Sequence, residues 1–120
     1  MQKAFIISFL LIVPLFGFIS CSKSNSGGSV NTSVDCSLVA NKAYITDVDP
    51  IIQSTCNAGG CHASGSTNGP GPITNYTQVF NARTVIRSAI ASGAMPQNAT
   101  LTAAQKNSII CWIDSGSPDN

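Results

Sequence analysis

The chain has 120 residues, of which only 9% are charged, and its formal net charge at pH 7 is +1. The charges are balanced in sign and form neither a basic stripe nor an acidic run, which argues against a nucleic-acid-binding protein and against an acidic metal store. The sequence has no glutamate, its single histidine belongs to the cysteine motif described below, and its aspartates lie mostly near predicted helix ends, so no acid–base set for catalysis is evident.

Residues 1–20 have the features of an export signal. A lysine precedes an uncharged, mostly apolar run, and Pro14 and Gly17 interrupt that run, which argues against a stable membrane-spanning helix. The run ends in Phe18-Ile19-Ser20-Cys21, which resembles a bacterial lipobox, so Cys21 is predicted to carry a lipid and to become the mature N-terminus. The alternative is plain secretion with cleavage after a small residue. With the lipid, the protein is exported and anchored to a bacterial membrane, facing the periplasm or the cell exterior.

Residues 21–35 are predicted to be a flexible tether, because the segment is rich in Ser, Gly and Asn and lacks aromatic residues. Behind a lipid anchor, such a tether keeps a peripheral domain close to a membrane. The domain itself spans residues 36–118 and is small enough to need a staple, which either a bonded porphyrin or disulfides could supply.

The dipeptide Asp49-Pro50 predicts the start of a first helix, with a carboxylate cap followed by a proline at the first helical position. This helix is expected to run from Pro50 to Thr55 and to deliver Cys56. The following residues 63–73 are rich in Gly, Pro and Ser and are predicted to be a loop.

The residues directly after the predicted first helix, from Cys56 to His62, carry the main chemical motif. Cys56 and Cys61 bracket four residues, and His62 follows at once. Covalent haem attachment needs two thiols that add across two vinyl groups and an adjacent imidazole that ligates the iron. The usual spacing is C-x-x-C-H, and here the Gly59-Gly60 pair suits the bulge that two extra residues require. The sequence therefore predicts one covalently attached haem c at Cys56 and Cys61, with His62 as an axial ligand.

A helical turn is expected at Tyr76–Phe80, and a helix from about Asn81 to Ser92, where Gly93 ends it. The predicted apolar face of that helix comprises Val85, Ile86, Ala89 and Ile90.

Met95 follows in a Met-Pro dipeptide and is the only methionine besides Met1. Haem iron takes two axial ligands, and a His/Met pair is a standard electron-transfer combination. His62 and Met95 can supply that pair in only one way. The alternative for Met95 is an ordinary core or surface thioether, and a methionine too far from the iron would leave a small-ligand sensor or a peroxidase-like centre.

The last helix is predicted from the capping box Thr102-Ala103-Ala104-Gln105. Its expected buried stripe is Ile109, Ile110, Trp112 and Ile113, and glycine and proline within residues 114–118 end it. No stretch has a convincing β pattern, so the predicted fold class is all-α.

Two cysteines, Cys36 and Cys111, remain when Cys21 carries lipid and the motif carries haem. In an oxidising compartment they are expected to form a disulfide. The four cysteines downstream of Cys21 nevertheless allow three pairings.

A helix leading into Cys…Cys-His, a Gly/Pro loop, a Met-Pro and a closing helix together resemble a small class I cytochrome c. The tail from Leu101 to Gly116 is similar to the closing pattern L-T/S-x-x-E/Q…I-x-x-W-I-D-x-G of exported bacterial cytochrome c-like domains. The resemblance implies a small helical domain wrapped around one haem, in which a carbonyl of Gly69-Pro70-Gly71-Pro72 orients His62 and in which Trp112 and Ile113 pack near the haem or against the first helix. It also implies an electron carrier rather than an enzyme, with redox proteins as partners.

Two other hypotheses remain open at this point. In the first, the chain is an exported binding or structural lipoprotein without haem, stapled by Cys56–Cys61 and Cys36–Cys111. In the second, His62 and three of the same cysteines hold a structural zinc ion.

Overall fold

The computed structural model describes residues 34–120, so the expected signal peptide, Cys21 and most of the expected tether lie outside the described residues. Within that range a π-helical turn, Tyr44–Val48, is followed by three α-helices, which we label α1 (Asp49–Thr55), α2 (Tyr76–Ser92) and α3 (Ala103–Asp114). The described residues form no β-strand, which confirms the predicted all-α class. None of their helices is long and apolar enough to cross a membrane.

The first helix begins earlier than its sequence signal indicates. The π-helical turn leads directly into α1, so Val48 occupies the N-cap position and Asp49 lies inside continuous helical backbone. The Asp49 carboxylate makes no capping bond and instead accepts hydrogen bonds from the Tyr44 hydroxyl (3.0 Å) and the Gln53 side chain (2.8 Å). Pro50 lies in the first turn of α1, the part of a helix in which proline is most often found.

α2 is one helix where a turn and a separate helix were expected. Asn75 caps it, because its side-chain oxygen accepts a hydrogen bond from the Gln78 backbone N–H at 3.1 Å. Neither glycine nor proline interrupts residues 76–92, and the helix therefore continues through Asn81. Gly93 ends it, as predicted, in the left-handed conformation at φ 75°.

α3 begins with the predicted capping box. The Thr102 hydroxyl accepts from the Gln105 N–H (3.2 Å), and the Gln105 side chain accepts from the Thr102 N–H (2.9 Å). The helix ends at Asp114, and the chain then turns back so that the Trp112 indole N–H donates to the Pro118 carbonyl at 2.8 Å.

The four Tyr, Phe and Trp side chains of the described chain form one cluster. The Tyr44 ring centroid lies 5.0 Å from that of Tyr76 and 5.2 Å from that of Trp112, and Tyr76 lies 5.7 Å from Phe80. Trp112 is fully buried. It therefore packs against the π-helical turn that precedes α1, and the cluster joins this turn to α2 and α3.

A disulfide joins Cys36 to Cys111, which confirms the expected pairing. The two Cα atoms lie 5.3 Å apart, although the residues are separated by 75 positions in the chain. Cys111 lies fully buried on α3, so the bridge fastens the segment before the π-helical turn to the last helix. The Lys42 ammonium supports this segment by donating to the Cys36 carbonyl at 2.7 Å.

Candidate functional site

α1 delivers Cys56 at its C-terminal end. The backbone N–H groups of Cys56 and Asn57 both donate to the Ile52 carbonyl, at 2.8 Å and 3.1 Å. Ile52 is itself fully buried in the core. The position of Cys56 is therefore fixed by helix packing and backbone bonds rather than by its own side chain.

The four residues between the cysteines form a closed loop. Cys61 donates its backbone N–H to the Ala58 carbonyl (2.9 Å), and His62 donates its own to the Cys56 carbonyl (3.1 Å). Gly60 adopts φ 84°, the positive φ that the predicted bulge needs, and a Cβ atom at this position would meet nothing within 4 Å. The extra residues thus bulge into open space while the motif's ends stay together.

Side chains of the following loop hold the second half of the motif. The Asn68 amide donates to the carbonyls of Gly60 (2.9 Å) and Cys61 (3.2 Å), and the Ser66 hydroxyl also donates to the Cys61 carbonyl. The motif spacing does not point to Ser66 or Asn68. The only sequence signal for them is the local abundance of Ser and Asn, whose short side chains bond to nearby backbone.

His62 is held in one orientation by the Gly/Pro loop. It is 8% exposed, and its Nδ1 lies 3.1 Å from the Gly71 carbonyl oxygen. A carbonyl only accepts hydrogen bonds, so Nδ1 carries the proton and Nε2 keeps the lone pair that a metal ligand needs. The carbonyl of His62 accepts from the Ile73 N–H at 3.0 Å. Within Gly69-Pro70-Gly71-Pro72, Gly71 therefore supplies the bond to the ring.

Met95 is positioned by the end of α2. Its backbone N–H donates to the Ala89 carbonyl at 3.2 Å, after the chain has turned at Gly93. The side chain is half-buried and does not belong to the cluster of buried residues that forms the core.

One cavity of about 650 Å³ is lined by all four predicted haem-binding residues, Cys56, Cys61, His62 and Met95. This volume lies within the roughly 300–1,000 Å³ that small-molecule and cofactor sites occupy. Aliphatic residues of α1, α2 and the loop form much of the remaining wall: Ile52, Ile73, Val85, Ile86, Ala89 and Ile90.

Cys56 and Cys61 are free thiols within residues 34–120. Burial raises the pKa of the Cys56 thiol above its ordinary value, and the proximity of Cys61 raises that pKa further. When a thiol adds across a vinyl group, a C–S bond forms and the hydrogen of the S–H group goes to the other vinyl carbon. That addition needs both sulfurs unbridged, as they are here.

Between residues 34 and 120, no three or more His, Cys, Asp or Glu side chains form a group that could hold a metal ion. The zinc hypothesis drew on Cys36 and Cys111, whose sulfurs are bonded to each other.

Comparison of the chain with protein-family models, with curated proteins and with solved structures found no match. Its function must therefore be inferred from the cavity and from the residues that line it.

Proposed function

We propose that this chain is a c-type haem protein that carries single electrons. Cys56 and Cys61 would hold one haem covalently, and His62 and Met95 would be its axial ligands. The observation that carries this proposal is that these four side chains line one cavity of a size suited to a cofactor. The group would supply one-electron chemistry at its iron.

The chemistry of the cavity suits such a group. Cys56 and Cys61 have unbridged sulfurs that would bind the haem, and the Gly71 carbonyl orients the His62 ring with Nε2 free. The aliphatic wall would contact a flat apolar cofactor, and a Met95 thioether ligand would favour the reduced state of the iron.

A carrier fits these walls better than a catalyst of proton transfer. Among residues 34–120, none of the Asp, Glu, Lys or Arg residues lines the cavity. A reaction that moves a proton at the cavity would therefore lack a carboxylate or ammonium group, whereas electron transfer needs neither.

The proposed location is a bacterial membrane surface outside the cytoplasm, with the lipid on Cys21 and redox proteins as partners. The sequence of residues 1–35 supports export, and the Cys36–Cys111 disulfide suits an oxidising compartment.

Expression with c-type cytochrome maturation machinery tests the proposal. We expect the purified protein to gain the mass of one haem and to show the sharp reduced bands of low-spin haem. The variant Cys56→Ala/Cys61→Ala should carry no covalent haem and should keep the Cys36–Cys111 disulfide. His62→Ala should lose the low-spin spectrum.

Deletion of Gly59 and Gly60 provides a matched control, because it restores the usual C-x-x-C-H spacing. Haem on the deletion variant alone would mean that the cavity accepts the cofactor but that the native spacing needs another attachment machinery. If both proteins stayed colourless while a C-x-x-C-H reference protein was loaded in the same cells, the proposal would be wrong. A disulfide-stapled lipoprotein would then be the better description.

A further inference from the structure

A chain of hydrogen-bonded side chains runs along α1 towards the cysteine motif. The Tyr44 hydroxyl and the Gln53 amide both donate to Asp49 Oδ1, at 3.0 Å and 2.8 Å, and the Asn57 amide donates to Gln53 Oε1 at 2.8 Å. Asp49 and Gln53 are four residues apart on one side of α1, and Asn57, four residues further on, lies just beyond the end of the helix. We call these three residues, together with Tyr44, the α1 ladder.

Asp49 fixes the direction of every bond in the ladder. A carboxylate only accepts, so Gln53 must present its NH₂ group to Asp49 and its carbonyl to Asn57. Asn57 must in turn present its NH₂ group to Gln53. Burial and the bond to Asp49 raise the pKa of Tyr44, so the Tyr44 hydroxyl keeps its proton and remains a donor.

The ladder ends at the first residue between the two cysteines. Asn57 directly follows Cys56. Within residues 34–120 its side-chain oxygen accepts no hydrogen bond, so Gln53 is the partner that holds the Asn57 side chain. Gly59 and Gly60, by contrast, have open space around them, because a Cβ atom on either would meet nothing within 4 Å. The interval is thus held at its start by the Asn57 side chain and backbone N–H, and near its end through the Gly60 carbonyl, which accepts from the Asn68 amide at 2.9 Å.

We infer that Gln53 and Asn57 are positioning residues for covalent haem attachment at the widened motif, an inference that rests on the proposed function. By fixing Asn57, the ladder sets the direction in which the chain leaves α1 and hence where Cys61 returns beside Cys56. Each attachment forms one C–S bond and transfers the S–H hydrogen to the second vinyl carbon. The ladder takes no part in that step and acts only on whether both sulfurs reach their vinyl groups.

Substitutions that keep the shape of a side chain but exchange its hydrogen-bond donor and acceptor atoms test the ladder. Gln53→Glu removes the donor to Asp49 and places two carboxylates side by side, so the loaded fraction with two thioethers should fall about fivefold, the factor that one ordinary hydrogen bond represents. Asp49→Asn should change little, because the new amide still offers an oxygen to Gln53. The double variant Asp49→Asn/Gln53→Glu should restore loading, because the amide at position 49 can donate to the carboxylate at position 53, which still accepts from Asn57.

The measurements are intact mass for the loaded fraction and the pyridine haemochrome band position, which distinguishes one thioether from two. Gln105→Glu on α3 is the matched control, since it adds the same charge and keeps the oxygen that accepts from Thr102. Full loading of Gln53→Glu through two thioethers, or no recovery in the double variant, would overturn the inference while leaving the proposed function intact. A wild-type protein without haem would instead overturn the proposed function, and this inference with it.

Discussion

His62 and Met95 are each fixed through backbone groups, and each keeps one atom suited to metal ligation. The Gly71 carbonyl accepts a hydrogen bond from His62 Nδ1, so Nε2 is the nitrogen available to a metal. The Met95 backbone N–H donates to the Ala89 carbonyl, so the position of Met95 is set without use of its sulfur. Both ligand candidates could be predicted from the sequence, because residues 21–120 contain one histidine and one methionine. The choice of Gly71 could not, because it depends on how a loop with several glycines at positive φ folds around the ring.

Replacing Met95 by alanine should lower the reduction potential of the loaded protein and open a coordination position on the iron. The physical reason is that a thioether ligand raises the potential, whereas alanine cannot ligate. Redox titration and carbon monoxide binding to the reduced protein measure the two effects. Val85→Ala is the control, since Val85 lines the same cavity without a ligating atom.

If the reduced wild-type protein itself bound carbon monoxide rapidly, Met95 would not be the ligand. A small-ligand sensor or a peroxidase-like centre would then replace the electron carrier.

At the scale of helices, the predictable elements are those that local bonds specify. The α3 capping box links residues only three apart, so Thr102 and Gln105 reveal it in the sequence. The π-helical turn is different, because the backbone N–H groups of Tyr44 and Ile45 donate to Asn120, at 3.0 Å and 2.8 Å. The bonds to Asn120 have no local signal in the sequence, although the Asp47 carboxylate also accepts from the Ala43 N–H at 2.9 Å. Asp49 therefore has the sequence pattern of a cap without acting as one.

Removing the α3 cap with Thr102→Ala should lower the free energy of unfolding by about 1 kcal/mol, the usual cost of a lost N-cap. Denaturant titration of the loaded protein measures it. Thr100→Ala changes an exposed threonine outside the box and should stay within about 0.5 kcal/mol of wild type. Equal effects of the two substitutions would show that the capping bonds contribute nothing.

Removing the disulfide with Cys36→Ala/Cys111→Ala should cost more than removing the cap. In the chain-entropy model, a bridge that closes a loop of 75 residues stabilises the fold by about 4 kcal/mol. The midpoint of denaturant unfolding of the loaded protein should fall accordingly, and reduction of the wild-type bridge should lower it by a similar amount. An unchanged midpoint would mean that the bridge is not formed in solution.

At the scale of the whole molecule, the apolar residues divide between two regions. The aromatic cluster and the disulfide both include a residue of α3, Trp112 and Cys111. No Tyr, Phe or Trp of the described chain lines the cavity. The predicted apolar face of α2 belongs to both regions, because Val85, Ile86 and Ile90 all line the cavity, and Ile86 and Ile90 are also buried in the core whereas Val85 is 57% exposed. Sequence periodicity marks apolar surface but does not distinguish a packed core from a cavity wall. That Cys56 and Met95 line the same cavity could therefore be expected only from the chemistry of haem attachment and ligation.

The charged residues of the described chain also avoid the cavity, and this distribution predicts how electrons are exchanged. Arg87 pairs with Asp114 on the surface, and none of the Asp, Lys or Arg residues between positions 34 and 120 lines the cavity. Protein side chains therefore supply none of the electrostatic steering at the cavity, an effect that can change rates by about 10- to 1,000-fold at low salt, and a bound haem would bring only its own two propionate charges. The loaded protein should therefore react at low salt more slowly with hexacyanoferrate, an anion, and faster with tris(phenanthroline)cobalt, a cation, and both trends should weaken as the Debye length falls from about 30 Å to 10 Å.

Adding a positive side chain at the cavity should oppose the effect of the propionate charges. Ala99→Lys changes an exposed residue that lines the cavity, so it should speed the reaction with the anion at low salt and slow that with the cation. Ala104→Lys makes the same change on α3, away from the cavity, and should affect both reagents much less. Equal responses of the two variants would place electron exchange at another surface of the molecule.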